Sequence, residues 1–398
     1  SLMTSSARLF FRLNNDSLSK IGHYVILGAD GSLNKSIYND VPSSLYDTSY
    51  FSLTTTNDTT RFNRLSPALS YNLVAHNISF EVGGKMDYMR WYMHDTDRVF
   101  NVYKDYAIDS SIWATPDTMM AYRSFTALQR FAWNKKDSTL ELRQHTSYIV
   151  SGKNKGDYQA AVSLNYKIKF LQTSFALHVN TELRSPDLFY AFNRVNNAYW
   201  KNDFEKSASN TIQFEARSQK LQLQLGAVHR NINKMIFLAG NQQPVQTKGA
   251  VNVTRLYVKH HLKLFKFHLE NCINYQLAEQ YPLPMPSLYT QHQLYFEQRV
   301  KKNGLRFQIG VQANYAGEME LVSYNPALNS FYVPDVKNKG GNYVFADFFV
   351  NVYFKPVRFF FKLEHANQGF SGMNYTLLNN YYQPDRMFHL GINWEFWD

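Results

Sequence analysis

A long, strict alternation of apolar and polar residues constrains the fold of this chain more than any other feature. Every second residue of the segment 305–315 is apolar, namely Leu305, Phe307, Ile309, Val311, Ala313 and Tyr315. The residues between them are Arg306, Gln308, Gly310, Gln312 and Asn314. Successive side chains of a strand point to opposite faces, so the segment predicts a strand with one apolar and one polar face. Soluble strands average roughly five or six residues, whereas tilted membrane-spanning strands need about nine to eleven, so this segment is long enough to span a membrane.

The same alternation recurs along the chain, and the connections between the alternating segments follow a second pattern. Clear examples of the alternation are 158–168, 175–183, 265–277, 344–354 and 357–363. Short connections lie at 75–77, 134–138, 170–171, 218–220, 263–264, 301–304 and 355–356. Longer polar connections lie at 39–64, 92–121, 184–207, 232–246, 279–287, 318–343 and 368–385. Short turns on one side and long loops on the other are typical of outer membrane barrels, in which the short turns are periplasmic.

The composition agrees with a barrel and argues against several other classes of protein. The chain of 398 residues is polar on average, with a mean hydropathy of −0.41, yet it contains 28 Tyr and 30 Phe. No apolar run approaches the ~18 residues that a membrane-spanning helix needs. The formal net charge is +11, but the basic residues alternate along strands instead of clustering, so we expect no nucleic-acid partner. The single Cys272 excludes an internal disulfide.

We therefore predict an all-β protein: one closed, antiparallel, up-and-down transmembrane β-barrel that spans residues 1–398 as a single domain. The alternating segments favour sixteen strands, with eighteen as the alternative, because bacterial single-chain barrels have an even number. Residues 1–19 are either periplasmic or an additional strand. Residues 1–4 do not resemble a signal peptide, so a location in the outer membrane of a Gram-negative bacterium is inferred from the fold. A barrel of this size holds an aqueous lumen unless a segment plugs it.

Charged residues on the strands with the clearest alternation identify a candidate lumen. An Arg or Lys on the lipid face near the bilayer midplane costs roughly 2–4 kcal/mol, so these side chains are expected to face inward. The candidate lumen-lining residues are Arg255, Lys259, Lys266, Glu270, Glu297, Arg299, Arg306, Arg358, Lys362 and Glu364. Two interpretations stay open: the charges select solutes, or they form ion pairs that stabilise a filled barrel. Because the basic residues outnumber the acidic ones, the first interpretation predicts a mild preference for anions.

The last residues of the chain alternate as well and predict a terminal strand. Its apolar residues are Phe388, Leu390, Ile392, Trp394 and Phe396. A terminal amphipathic strand that ends in aromatic residues resembles the signal that the barrel-assembly machinery recognises, although the usual signal ends on the aromatic residue and this chain continues to Asp398. An aromatic belt at the membrane interface would also place Trp394 and Phe396 there, and both interpretations can hold.

Three segments resemble a known family, the putative porins of Bacteroidota-type outer membranes. They are Asn380-Tyr381-Tyr382-Gln383-Pro384-Asp385-Arg386, Lys362-Leu363-Glu364-His365-Ala366-Asn367-Gln368-Gly369, and Asn196-Asn197-Ala198-Tyr199-Trp200-Lys201-Asn202-Asp203-Phe204. The resemblance covers the C-terminal half of the chain and implies an outer membrane barrel, with the last segment as an outer loop. It indicates a barrel family more than an activity.

Three functions are compared, and the first is preferred. A porin-like channel would allow passive diffusion of small polar solutes. An accessory or structural barrel subunit of a larger outer membrane complex is the alternative. A hydrolase at the outer rim is a third hypothesis, but no zinc, phosphate-loop or nucleophile-elbow motif occurs, so we expect no enzyme, no metal site and no cofactor. The expected partners are outer membrane lipids, the barrel-assembly machinery during insertion and other outer membrane proteins.

Overall fold

One antiparallel sheet of seventeen strands dominates the computed structural model of this chain. The structure describes residues 2–13, 21–40, 55–95, 117–300, 304–354, 356–370 and 375–394. The strands of the sheet are β1 (Leu2–Arg12), β2 (Ile21–Asp40), β3 (Thr56–Ala75), β4 (Ile78–Asp95), β5 (Asp117–Asn134), β6 (Leu140–Gly152), β7 (Tyr158–Ile168), β8 (Thr173–Arg184), β9 (Ser207–Ser218), β10 (Leu223–Asn233), β11 (Ala250–Leu264), β12 (Phe267–Glu279), β13 (Leu288–Val300), β14 (Leu305–Ala316), β15 (Tyr343–Phe354), β16 (Val357–Glu364) and β17 (Met387–Trp394).

Each strand pairs with the next one in chain order, which confirms the all-β, antiparallel, up-and-down arrangement. The prediction of sixteen strands in the sheet is wrong by one, because β1 pairs with β2 along all of its eleven residues. Among the described residues no pairing joins β1 to β17, so closure of the sheet stays a prediction. Since seventeen is odd, these two strands run in the same direction.

Period-two alternation gives the sheet one apolar and one polar face. Ile309 of β14 lies opposite Phe296 of β13 and Val350 of β15, and this row of side chains is apolar. The adjacent residue Gln308 lies opposite Glu297 and Asn351, and this row is polar. Ile309 is 41% exposed although it is aliphatic, whereas Asn351 is only 8% exposed. An apolar face that is open to the surroundings and a crowded polar face are the reverse of a soluble sheet.

The connections alternate in length as the sequence predicts. Turns of a few residues join β3 to β4, β7 to β8, β9 to β10 and β11 to β12. Each of these four turns contains a non-glycine residue with positive φ, at His76, Gln172, Gln222 and Phe265, as tight hairpin turns require. The turns expected at 301–304 and 355–356 lie largely outside the described residues. On the other edge of the sheet the connections are long, except the short one at 153–157.

The long connections contain their own secondary structure. A helical turn spans Leu188–Ala191. Short hairpins pair Phe192–Val195 with Ala198–Lys201, Ile236–Leu238 with Pro244–Gln246, Met319–Glu320 with Lys339–Gly340, Ser323–Asn325 with Ser330–Tyr332, and Thr376–Leu378 with Tyr381–Tyr382. No helix within the described ranges has the length and hydropathy to cross a membrane.

Candidate functional site: the polar face and the loop core

The strand register places the candidate lumen residues on one face of the sheet, with Lys266 as the exception. Arg255 and Lys259 lie on β11, Glu270 on β12, Glu297 and Arg299 on β13, Arg306 on β14, and Arg358, Lys362 and Glu364 on β16. Lys266 lies in the turn before β12, and its Nζ is 5.9 Å from the ring centroid of Phe296, a residue of the apolar face.

Glu297 organises the first group of charges on the polar face. Its carboxylate lies 3.0 Å from Nε of Arg299 and 3.9 Å from a guanidinium nitrogen of Arg306. Nε2 of Gln308 donates to Oε2 of Glu297 at 2.8 Å. The Arg306 guanidinium also lies 3.9 Å from the ring centroid of Tyr353 on the next strand. Two of the predicted cations are therefore engaged by a half-buried carboxylate, and one of them, Arg306, also by an aromatic ring.

Lys362 organises a second group, on β15, β16 and β17. Its ammonium lies 3.1 Å from Asp347 and 2.7 Å from Glu364. Nε2 of His389 is 2.8 Å from the other oxygen of Glu364. Asp347 is not among the lumen-lining residues predicted from the sequence, although its position opposite Gln312 assigns it to the polar face. Its carboxylate is 95% buried and also accepts the backbone N–H of His365 at 3.0 Å.

A different set of basic residues on the polar face has no acidic partner in the described ranges. The register aligns Lys167, Ser174, Arg217, Gln224 and Lys259 in one row across β7 to β11. All three cations of this row are exposed, and among the described residues none of them forms an ion pair. We call these five residues the basic row. Of its three cations only Lys259 was predicted from the sequence, because the register of the strands is what aligns Lys167 and Arg217 with it.

A cavity of about 810 Å³ opens beside the basic row, close to the short turns. Its wall includes Arg217 and Lys259, together with the side-chain amides of Gln222, Gln224, Gln291 and Gln293. Glu270 is the carboxylate of this wall, and it accepts a hydrogen bond from the Tyr295 hydroxyl at 2.9 Å. The cavity is therefore polar, carries more positive than negative charge, and offers many N–H donors.

Aromatic and histidine rings pack beside this cavity on β11, β12 and β13. His268 stacks on Tyr295 with ring centroids 4.7 Å apart, and Nδ1 of His268 is 2.9 Å from Nε2 of His261. Gly226 on β10 leaves room for the ring of Tyr257, because a Cβ at that position would overlap the ring. The Tyr257 hydroxyl then donates to Glu215 at 2.7 Å. Both carboxylates near the cavity, Glu215 and Glu270, are thus engaged by tyrosine hydroxyls.

At the opposite edge of the sheet, three long connections share a small hydrophobic core, which we call the loop core. It consists of Val195, Ala198, Trp200, Leu238 and Leu328, against which Phe189, Tyr190 and Tyr332 pack. The indole N–H of Trp200 donates to the carbonyl of Phe189 at 2.7 Å. Burial, reinforced by the nearby carboxylate of Asp187, raises the pKa of the Tyr190 phenol. These loops are thus packed against one another and do not project separately.

The hairpin 192–201 connects the loop core to a distant part of the sheet. The backbone N–H of its Asn196 donates to both carboxylate oxygens of Asp58 on β3, at 3.1 and 3.0 Å. Nδ2 of Asn196 donates to Oγ1 of Thr56 at 2.9 Å. The preceding segment 185–189 and polar-face side chains of β2 to β5 together enclose a cavity of about 490 Å³. The connection between β8 and β9 therefore folds over the polar face.

The terminal strand β17 presents its predicted apolar residues on the apolar face. Phe388, Leu390, Ile392 and Trp394 are all more than half exposed, and β17 pairs along its length with β16. Phe396 lies outside the described residues. The arrangement of the four residues agrees with a lipid-facing strand, whereas their role as an assembly signal stays a prediction.

One family of known proteins matches most of this chain. A family described as "Putative porin" matches residues 27–398, which agrees with the resemblance noted in the sequence. No match to a curated protein sequence was found. The family match and the strand-built fold place the chain in the outer membrane of a Gram-negative cell.

Solved structures of outer membrane transport proteins share the fold. The siderophore receptor PirA from Acinetobacter baumannii is 10% identical, with a TM-score of 0.64, and the match covers 99% of this chain and 62% of PirA. The copper transporter OprC is 13% identical, with a TM-score of 0.65 and coverages of 99% and 66%. The FrpB iron transporter from Neisseria meningitidis is 11% identical, with a TM-score of 0.66 and coverages of 99% and 64%. This chain thus spans less than two thirds of the length of the receptors, and the likeness concerns the fold.

Proposed function

Because this chain belongs to the putative porin family, we propose that it forms an outer membrane channel through which small polar solutes diffuse passively, with a mild preference for anions. The family and the likeness to transport barrels support a non-enzymatic, transporter-type protein. Passive diffusion and anion preference are the parts that we add, and they rest on the polar face.

The first step of the proposal is that the sheet closes and that its polar face becomes the lumen. Arg306, Arg358 and Lys362 on the lipid face near the midplane would each cost roughly 2–4 kcal/mol, so the polar face is the one that can contact water. A direct seam between β1 and β17 would be a parallel pair. Closed barrels resist unfolding by detergent, so a shift in electrophoretic mobility on heating tests this step.

The basic row is the observation that carries the anion preference. Lys167, Arg217 and Lys259 extend from alternate strands and have no acidic partner within the described part of the chain, and Ser174 and Gln224 between them are neutral. Rings of like charge bias the passage of ions of opposite charge. Arg306 and Lys362, which are paired with carboxylates, contribute less to the field in the lumen. The row therefore supports anion preference more strongly than the total of charged lumen residues does.

Reconstitution into planar bilayers tests the proposal. We expect the purified protein to conduct, and its reversal potential in a salt gradient to indicate anion preference. The double variant Arg217→Gln with Lys259→Gln should reduce that preference. A matched control, Lys337→Gln with Lys339→Gln, removes two charges from an exposed loop and should leave the reversal potential unchanged. Cation preference of the unaltered protein would contradict the charge argument, and absence of conductance from folded protein would contradict the channel.

The loop core favours a second candidate, an accessory barrel within an outer membrane complex. Loops that are packed together over one edge of the sheet could obstruct the lumen and present a fixed docking surface. In that case the folded protein would not conduct, and a pull-down in mild detergent would recover a stoichiometric outer membrane partner.

Outer membrane lipids surround the apolar face in either case, and we propose that β17 is recognised by the barrel-assembly machinery during insertion.

A further inference from the structure

We propose that the cavity beside the basic row binds a small multivalent oxyanion, such as inorganic phosphate or the phosphate group of an ester, between Arg217 and Lys259. The inference rests on the proposed function for its setting, a water-filled lumen, and it names a substrate class for that lumen. It does not require conduction, because a binding site on the polar face can be occupied in a folded protein whether or not solutes pass through.

The register supplies the geometry of the site. Arg217 and Lys259 both lie opposite Gln224, one on each side of β10. Neighbouring strands are about 4.8 Å apart, so the two cationic residues are separated by roughly 10 Å at the backbone. Two long basic side chains can converge over the shorter Gln224 and reach one anion from both sides.

The charge state of the site favours an added anion. Neither Arg217 nor Lys259 forms an ion pair among the described residues, and both are exposed to the cavity. The neighbouring carboxylates of Glu215 and Glu270 each accept a hydrogen bond from a tyrosine hydroxyl, Tyr257 and Tyr295 respectively. The two cations are therefore available, whereas Arg299 and Lys362 elsewhere on this face already have carboxylate partners.

The donors of the wall select an oxyanion over a monatomic anion. A guanidinium presents a planar fork of N–H groups that matches two oxygens of a phosphate, and an ammonium contributes a point charge. The amides of Gln222, Gln224, Gln291 and Gln293 can donate to further oxygens. Chloride can use the charge but not this set of directed donors. The cavity of about 810 Å³ also leaves room for the organic part of a phosphate ester.

The test is a binding measurement on the folded protein in detergent micelles. Isothermal titration at constant ionic strength would use inorganic phosphate, glucose 6-phosphate and chloride as separate ligands. We expect both phosphates to bind more tightly than chloride, with the tighter of the two identifying a free or an esterified source. Arg217→Gln with Lys259→Gln should weaken phosphate binding by about tenfold or more, since two charge-assisted contacts are lost. Lys337→Gln with Lys339→Gln should bind phosphate as the unaltered protein does.

Heat-modifiable mobility of each variant confirms that it is folded before binding is measured. Phosphate binding that is no tighter than chloride binding, or that is equal in the Arg217/Lys259 variant, overturns the inference. If the protein conducts with anion preference but does not bind phosphate, the phosphate site is overturned and the proposed channel is not. Phosphate binding that depends on Arg217 and Lys259, in a protein that does not conduct, overturns the proposed channel and leaves the site in place.

Discussion

The backbone N–H of Asn196 donates to both carboxylate oxygens of Asp58, a residue 138 positions earlier in the chain. Asn196 is 1% exposed and Asp58 is 5% exposed, so water does not compete for this contact. The contact joins the turn of the 192–201 hairpin to the beginning of β3 and holds the connection between β8 and β9 over the polar face. One buried carboxylate thus helps to hold a long loop in its position.

Asp58→Ala should release the hairpin without unfolding the sheet. The substitution leaves the Asn196 N–H buried without its acceptor, which costs about 1–3 kcal/mol of local stability. We expect trypsin to cleave after Arg194 and Lys201 about tenfold faster or more, while the heat-modifiable band persists. The matched control Asp203→Ala removes an exposed carboxylate of the same loop and should not change the cleavage rate. Equal cleavage rates in the two variants would show that Asp58 does not hold the hairpin.

The assignment of faces on β14 predicts opposite outcomes for adjacent residues. Ile309→Arg would place a cation in lipid at a cost of roughly 2–4 kcal/mol, so the yield of folded protein in lipid vesicles should fall. Leu305→Arg changes the first residue of β14, near the membrane interface, and should cost only about 0–1 kcal/mol. Gln308→Arg should be tolerated because Gln308 lies on the polar face, 2.8 Å from Glu297. Comparable defects at positions 308 and 309 would show that the register is wrong.

The two charged groups of the polar face should differ in their contribution to stability. Lys362→Gln removes the cation beside Asp347, which is 95% buried, and we expect a loss of about 1–3 kcal/mol. Arg299→Gln removes a side chain that is 68% exposed, and we expect a loss below about 1 kcal/mol. Urea unfolding in lipid vesicles, followed by tryptophan fluorescence, measures both. A larger loss for Arg299→Gln than for Lys362→Gln would show that the pair of Lys362 and Asp347 is not the more stabilising of the two.

The two edges of the sheet should differ in accessibility on intact cells. We predict that the long connections, including 184–207 and 318–343, are outside and that the short turns are periplasmic. Trypsin added to intact cells should therefore cleave at Lys201 or Lys337 but not at Lys220, in the turn between β9 and β10. Cleavage at Lys220 in intact cells, with both long loops uncut, would invert the topology.

The sequence by itself determined the strand type, the two faces and the alternation of short and long connections. These follow from local chemistry, because the side-chain period of a strand is two residues wherever the strand lies. The alternation at 305–315 and 344–354 therefore assigned Ile309 and Val350 to the apolar face before any pairing was known. The same rule left β1 open between a periplasmic segment and an additional strand, and its full pairing with β2 identifies it as a strand.

The tertiary structure alone decided which charges are free and how the long loops are arranged. Pairing between strands determines which side chains are neighbours. It separates Arg217 and Lys259, which form no ion pair with any described residue, from Lys362, whose partner Asp347 is fifteen residues away. The alternation in the sequence assigns a residue to one face of the sheet. It does not show which residues of the neighbouring strands lie beside that residue. The contact between Asn196 and Asp58 cannot be predicted from the sequence pattern, because it depends on the path of an irregular loop across the polar face. Such a loop produces no periodic pattern of residues.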